Sequence, residues 1–334
     1  MGCGSSSDAG SPGAAGGDDE LDRNQAMVGG SCRKGKGEND PQDDMFEVED
    51  AEAQEFMAVR PWIGQIAEPA QHNPINNEKP DTTYELEYVY GYRSADSRQN
   101  VAWNESGKAV YMTAALGVIL DPNSNTQKFF GGGEVENTSK QTANDNNGHT
   151  NDIMCSKICN HRKFAATGQV GSQPTLFTWN AETGEKAGRA KLDKGSRGIN
   201  AVAWSKDNDM VACVDLHNDH HVYVFTNATS SLDLKCKQKG SQNKIHDIAF
   251  DKTSNRFCTA GSKHIEFWDA DAPDLDKKGG IYNGNKMTSF SCCVWDDQGI
   301  CWSGGSNSLV YKWGKDRMCA GTINAHSKGF VCAI

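Results

Sequence analysis

IHDIAFDKTSNRFCTAGSKHIEFWD, residues 245–269, sets the pattern for most of this chain. A short apolar run leads into a polar turn, and a second run closes on a glycine. A third run then ends in Trp268-Asp269. Alternation over four to eight residues, bounded by Asp, Asn, Ser and Gly clusters, is the mark of strands joined by tight turns. The unit recurs upstream as NVAWNESGKAVYMTAALGVILD (100–121), DIMCSKICNHRKFAATGQVGSQPTLFTWN (152–180) and INAVAWSKDNDMVACVDLHNDHHVYVFT (199–226). Downstream it returns as SFSCCVWDDQGICWSGGSNSLVYKWG (289–314). Helical periodicity is absent throughout, so the chain reads as all-β.

The closing aromatics Trp179, Phe225, Trp268 and Trp313 stand 46, 43 and 45 residues apart. A period of roughly 40–45 residues is that of a four-stranded blade in a WD-type β-propeller. Gly148-His149 and the dipeptides Trp179-Asn180 and Trp268-Asp269 are the marks of that repeat. The expected role of His149, Trp179, Trp268, Asp269 and Trp313 is to build blades: the histidine in a hydrogen-bonded network, the tryptophans between strands. Several units lack the histidine or the terminal aspartate, so the blades are atypical. Residues 131–147 and 270–285 are expected to be loops between units. Ala325 to Cys332 resembles the start of a further unit, parallel to His149 through Cys155. Residues 99–334 thus read as five units plus the start of a sixth, with two unpaired strand edges. Either the chain is a piece of a longer propeller or its proline-rich segment supplies the missing strands, and the expectation is the first, an incomplete propeller.

Upstream lies FMAVRPWIGQIAEPAQHNPINNEKPDTTYELEYVYGYR, residues 56–93. Its apolar cluster is followed by a proline-broken connector (Pro69, Pro74, Pro80), which excludes a helix. So much aromatic surface without a regular element to cover it is expected to pack on something else. Phe56-Met57-Ala58-Val59-Arg60-Pro61-Trp62 and Leu86-Glu87-Tyr88-Val89-Tyr90-Gly91-Tyr92-Arg93 together resemble the hydrophobic motif of the echinoderm microtubule-associated protein-like family. The resemblance covers residues 56–334. It implies that residues 56–98, with Phe56, Pro61, Trp62, Tyr88, Tyr90, Gly91 and Tyr92 as motif residues, pack on the propeller.

Composition narrows the classes. The formal net charge is −10, and residues 1–55 account for all of it, with 14 of the 44 acids and 4 of the 34 bases. The remaining 30 acids balance 30 bases, so the repeat region has no net pull toward nucleic acid or membrane. Residues 1–55 are Gly-, Asp-, Glu- and Ser-rich and are expected to be a disordered acidic tail. The family's amino-terminal coiled coil has no heptad counterpart here. MGCGSSS opens the chain: Gly2 with Ser6 fits the myristoylation pattern, and Cys3 is placed for palmitoylation. A single myristoyl chain anchors only marginally, so Cys3 would be the second signal. No transmembrane run or secretory signal is visible, which points to the cytosol and to reduced thiols among the twelve cysteines.

Catalytic chemistry is not in evidence. Gly131-Gly132-Gly133 is followed by neither lysine nor helix and is no phosphate loop. Cys155 and Cys159 lack a partner pair at zinc spacing. His217, His220 and His221 with Asp215 and Asp219 hint at a metal, but His220 and His221 as strand neighbours point to opposite faces, so the expectation is a turn and no metal. No cofactor is expected.

The resemblance implies a non-enzymatic cytoskeletal platform that binds tubulin or microtubules and docks other proteins on its face, in the cytoplasm, the cytoskeleton or a cilium. Tubulin's surface is acidic, and Lys235, Lys237, Lys239 and Lys244 are the candidate basic patch. The alternative is an acylated, membrane-tethered scaffold that recruits proteins without touching tubulin.

Overall fold

A computed structural model describes residue 71 and residues 85–94, 96–97, 100–132 and 147–334. Gly2, Cys3, Phe56, Pro61 and Trp62 lie outside the described residues, as does most of the 131–147 insertion. The strands belong to one compact unit, Thr82–Ile334.

Twenty strands form five four-stranded antiparallel sheets, each a meander in sequence order. Blade 1 is β1 (Ala102–Trp103), β2 (Ala109–Thr113), β3 (Leu116–Asp121) and β4 (Thr126–Phe130). Blade 2 is β5 (Ile153–Ile158), β6 (Phe164–Gln169), β7 (Thr175–Asn180) and β8 (Lys186–Lys191). Blade 3 is β9 (Ile199–Trp204), β10 (Val211–Asp215), β11 (Val222–Thr226) and β12 (Asp233–Gln238). Blade 4 is β13 (Ile245–Phe250), β14 (Arg256–Gly261), β15 (His264–Asp269) and β16 (Asp276–Gly279). Blade 5 is β17 (Phe290–Trp295), β18 (Cys301–Gly305), β19 (Leu309–Trp313) and β20 (Cys319–Asn324). The described residues contain no helix.

Burial follows position in the blade. The second and third strands are covered on both faces, as in β10, whose five residues are all buried. The fourth strands are more open, and the four residues of β16 are all exposed. That gradient is what face-to-face stacking of sheets produces. It also explains a departure from expectation: residues 270–285 are not only a loop, because β16 lies within them and pairs along β15. Its sequence, DKKG, buries nothing and so carries no alternation to read.

Each apolar cluster is shared by two neighbouring blades: blades 1 and 2, 2 and 3, 3 and 4, and 4 and 5. Trp179 of blade 2 stacks on Phe130 of blade 1, with centroids 5.2 Å apart and planes 4° from parallel. Gly117 makes room for it: a Cβ there would stand 2.6 Å from the indole. Trp313 of blade 5 reaches blade 4 in the same way, where a Cβ on Gly280 would stand 2.9 Å from its ring. Burial of each such side chain stabilises by about 1.5–3 kcal/mol. Inner strands add directional ties: the Trp204 indole N–H donates to Lys157 O at 2.9 Å, and that of Trp295 to Ala249 O at 3.0 Å.

The ten described cysteines are free thiols, with Cys213, Cys258, Cys292 and Cys293 buried among apolar neighbours. After β20 the backbone returns to blade 5. Val331 O accepts the Cys292 thiol at 3.4 Å, as Ile199 O accepts the Cys155 thiol at 3.3 Å.

Candidate functional site

The described part of the hydrophobic segment lies along blade 1 without joining its ladder. Val89 N–H donates to Gln127 Oε1 at 2.7 Å, and the Gln127 amide returns a bond to Val89 O at 3.0 Å. Gln127 thereby does for an extended segment what a neighbouring strand would do, satisfying both backbone groups of one residue. Tyr88 donates its hydroxyl to Asn125 Oδ1 at 3.0 Å, and Tyr92 donates to Asn100 Oδ1. The Tyr92 ring meets Tyr111 edge-on at 6.1 Å. Gly91 sits at φ +114°, where its missing Cβ would come within 3.3 Å of Thr113 Oγ1, so the glycine serves both the turn and the close approach. Arg93 fastens the end of the segment, with 2.6 Å to Asp96 and 3.2 Å to Asp152. Burial is partial: Tyr88 and Val89 are half-buried, whereas Tyr90 is 87% exposed and stands 4.9 Å from the Tyr88 ring. The segment therefore keeps an aromatic pair at the surface.

The repeat's aromatic positions turn out to have polar partners. The Trp179 indole N–H donates to Thr167 Oγ1 at 3.1 Å, Trp268 to Thr259 Oγ1 at 2.9 Å, and Trp313 to Ser303 Oγ at 2.8 Å. All three hydroxyls are fully buried, so each indole N–H is satisfied where water cannot reach. His149 joins the blade 2 network, 2.8 Å from Thr167 Oγ1 through Nε2 and 2.8 Å from Gln169 Oε1 through Nδ1. In blade 3 the corresponding residues are Cys213 and Phe225, two positions apart in register. Donor and acceptor have both gone. Asp269 takes no part in the Trp268 network: its Oδ1 accepts Asp271 N–H at 3.0 Å and caps the turn, as Asn180 Oδ1 caps with Glu182 N–H at 2.8 Å. The hydroxyl partners were missed in the sequence, although each lies 9–12 residues before its tryptophan.

Charge is sorted by position. The outermost strands β4, β8, β12, β16 and β20 carry eight Lys or Arg and two Asp. Lysine on an edge strand also discourages strand addition. The four lysines picked from sequence do not form one patch. Lys237 pairs with Asp193, Lys239 with Asp219 at 3.0 Å, and Lys235 donates to Ala270 O at 2.6 Å. Lys244 lines the central cavity of about 400 Å³, together with Asp96, Lys157, Asn200 and Asp247. Burial pushes the Asp247 carboxyl up, although Cys293 N–H donates to it at 2.9 Å. In the histidine run, His220 and His221 lie before β11 and look to different neighbours: His220 Nδ1 to Ser241 O at 3.0 Å, His221 Nδ1 to Asp215 Oδ2 at 3.3 Å.

Five stacked four-stranded blades with an extended aromatic segment laid along the first define a WD-type β-propeller protein. Residues 147–334 match the model of the echinoderm microtubule-associated protein first beta-propeller, and residues 79–118 match the HELP motif. The chain belongs to the family of that first propeller. It is 43% identical to the ciliary WD repeat-containing protein ctxp80 of Euplotoides octocarinatus, over all of this chain and 49% of that protein. Human echinoderm microtubule-associated protein-like 2 is 27% identical over 87% of this chain and 45% of its own length. Human echinoderm microtubule-associated protein-like 1 is 27% identical over 97% and 40%. The chain thus spans about half the length of the curated relatives it matches. A chain of the mitotic checkpoint complex crystal structure superposes with a TM-score of 0.55 at 11% identity, covering 79% of this chain and 74% of that one. That likeness is one of fold alone.

Proposed function

We propose that this protein is a non-enzymatic platform that associates with microtubules or tubulin through the rim of its propeller and docks other proteins on its faces. The carrying observation is the charge of the outermost strands, eight bases against two acids in a repeat region that is neutral as a whole. Outermost strands richer in bases than acids, in a repeat region that is neutral as a whole, meet an acidic lattice along those strands, with the attraction screened beyond about 8–10 Å at physiological salt. Names of relatives carrying "microtubule-associated" and "ciliary" support the same reading and favour the cytoskeleton and the cilium as its place. Residues 56–98 serve in it as the packing segment, 99–334 as the propeller and 1–55 as an acidic tail.

The test is co-sedimentation of the full chain with microtubules across a salt series, with free tubulin alongside. The comparison variant is Lys186→Glu/Arg189→Glu/Lys191→Glu on β8. Saturable binding that weakens with salt and drops at least tenfold in the variant is expected. Binding that ignores the three reversals would remove the rim from the argument. No binding to either form would favour the second reading, an acylated scaffold, which rests on Gly2 and Cys3. That reading has its own test, in which myristate-analogue labelling disappears in Gly2→Ala.

A further inference from the structure

The connection between β10 and β11 brings together groups that neither the propeller nor its proposed rim requires. Asp215, the last residue of β10, is 1% exposed. Its Oδ1 accepts His217 N–H at 3.1 Å and His221 N–H at 2.8 Å, which folds residues 216–221 into a tight loop. Both imidazoles then stand on one side, their centroids 4.6 Å apart. The turn, with His220 at φ +42°, sends His220 and His221 to different neighbours but sets residues 217 and 221 face to face.

We propose that His217, Asp219 and His221 form a binding site for one divalent transition-metal ion of the zinc class. Their ligand atoms all lie within 4.8 Å of one another. Asp219 Oδ2 is 3.9 Å from His217 Nδ1 and 3.9 Å from His221 Nε2. Tetrahedral zinc with bonds of about 2.0–2.1 Å sets its ligand atoms roughly 3.3 Å apart. The side chains need to close by about 0.6 Å at the two 3.9 Å pairs and by no more than about 1.5 Å between the imidazoles, and His217 and Asp219 are only partly buried, 32% and 36% exposed. The fourth position opens to solvent and takes water.

What lies behind the ligands distinguishes this cluster from a chance turn. The His221 Nδ1–H donates to buried Asp215 Oδ2 at 3.3 Å, which fixes the tautomer and leaves the Nε2 lone pair for a metal. A carboxylate behind a ligating imidazole is the usual second layer of a zinc site. The Tyr223 hydroxyl also reaches Asp215 Oδ2 at 3.4 Å and holds that carboxylate in place. His217 Nδ1 accepts Asp219 N–H at 3.1 Å, so its lone pair already faces the carboxylate side, and metal binding replaces that contact. One group competes: the Lys239 ammonium stands 3.0 Å from Asp219 Oδ2 and must give way to the ion. Two nitrogens and one carboxylate oxygen with an open position suit Zn(II) or Co(II), not Ca(II) or Mg(II), which take oxygen ligands.

The experiment titrates the full chain with Zn(II) by calorimetry and with Co(II) by absorption. Cobalt separates this site from the thiols, because thiolate ligands add an intense charge-transfer band and nitrogen and oxygen ligands do not. One equivalent is expected, with visible ligand-field bands and no thiolate band. His217→Ala and His221→Ala abolish binding, while His220→Ala, in the same turn, leaves it intact. Asp215→Asn weakens affinity about 10–100-fold. Lys239→Gln, by removing the competing cation, strengthens it several-fold. The metal-free melting curve of His217→Ala should match that of the parent chain, since that side chain is 32% exposed, and this variant carries the test where His221→Ala, at 12% exposure and bonded to buried Asp215, lowers stability. Three results overturn the site: no binding by the parent chain at millimolar metal, equal binding by the His217→Ala/His221→Ala double variant, or a thiolate band accounting for the bound cobalt.

Discussion

Thr259→Val tests whether the buried tryptophan–hydroxyl pairs hold blades together or merely accompany their packing. Thr259 is fully buried and its Oγ1 accepts the Trp268 indole N–H at 2.9 Å. Valine keeps the shape and removes the acceptor, so the cost is that of one orphaned buried donor, about 1–3 kcal/mol. Blade 3 suggests the complement. There the same two positions hold Cys213 and Phe225, both buried, with no polar group left to satisfy. Removing both partners is far cheaper than removing one. Thr259→Cys/Trp268→Phe should therefore cost clearly less than its two single changes summed, with a coupling of about 0.5–3 kcal/mol. Urea unfolding of the full chain, followed by circular dichroism and compared at equal m-value, reads all four corners of the cycle. A Thr259→Val loss below about 0.5 kcal/mol, the size of an ordinary surface change, would refute the reasoning. So would strict additivity.

Further expectations concern junctions, acid stability and the upstream motif. Gly168→Ala would set a Cβ 2.6 Å from Ile199 Cβ and should destabilise by about 1–3 kcal/mol, whereas Gly321→Ala, with nothing within 4 Å, should leave the melting point unmoved. The Trp302 indole N–H donates to Asp296 Oδ2 at 2.9 Å and, as the largest influence, holds that carboxyl below its usual range; the Lys237 ammonium does the same for Asp193. With folded values below unfolded ones, the unfolded chain takes up more protons, so this stability is present at neutral pH and lost as pH falls below about 4. Melting temperature followed from pH 7 downward should drop more gently there in Trp302→Phe, and an identical acid limb would dismiss the Asp296 contribution. Trp62→Ala should lower stability by roughly 3–5 kcal/mol if the sequence-derived placement of Trp62 in a core is right, and an unchanged melting curve would reject that placement.

The blade framework was legible because its middle strands obey a rule that burial enforces. Trp179, Trp268 and Trp313 recur because each fills a junction between sheets, and a junction repeats whenever a blade does. Outer strands escaped notice for the converse reason. KAGRAK in β8 and DKKG in β16 pack against nothing on their outer side, so selection for alternation is absent and only pairing with β7 and β15 reveals them. Polar partners were harder still. Thr167, Thr259 and Ser303 look like ordinary strand residues until the indole beside each is placed in space. Gln127, which holds the motif segment through both its amide atoms, gives no local signal at all.

Because every apolar cluster is built half from one sheet and half from the next, the unit of inheritance in this molecule is the seam, not the blade. A sheet duplicated, deleted or exchanged between relatives must bring faces that suit two different neighbours: a glycine where the incoming indole lands, as at Gly117 and Gly280, and a large ring where it does not. Change is therefore easiest when both sides of a seam, or both members of a buried pair, alter together, to a combination such as the Cys213 and Phe225 of blade 3. Drift along this chain should leave its record as correlated replacements across seams, as between Phe130 and Trp179, at separations set by the length of about one blade repeat and invisible to any one repeat taken alone.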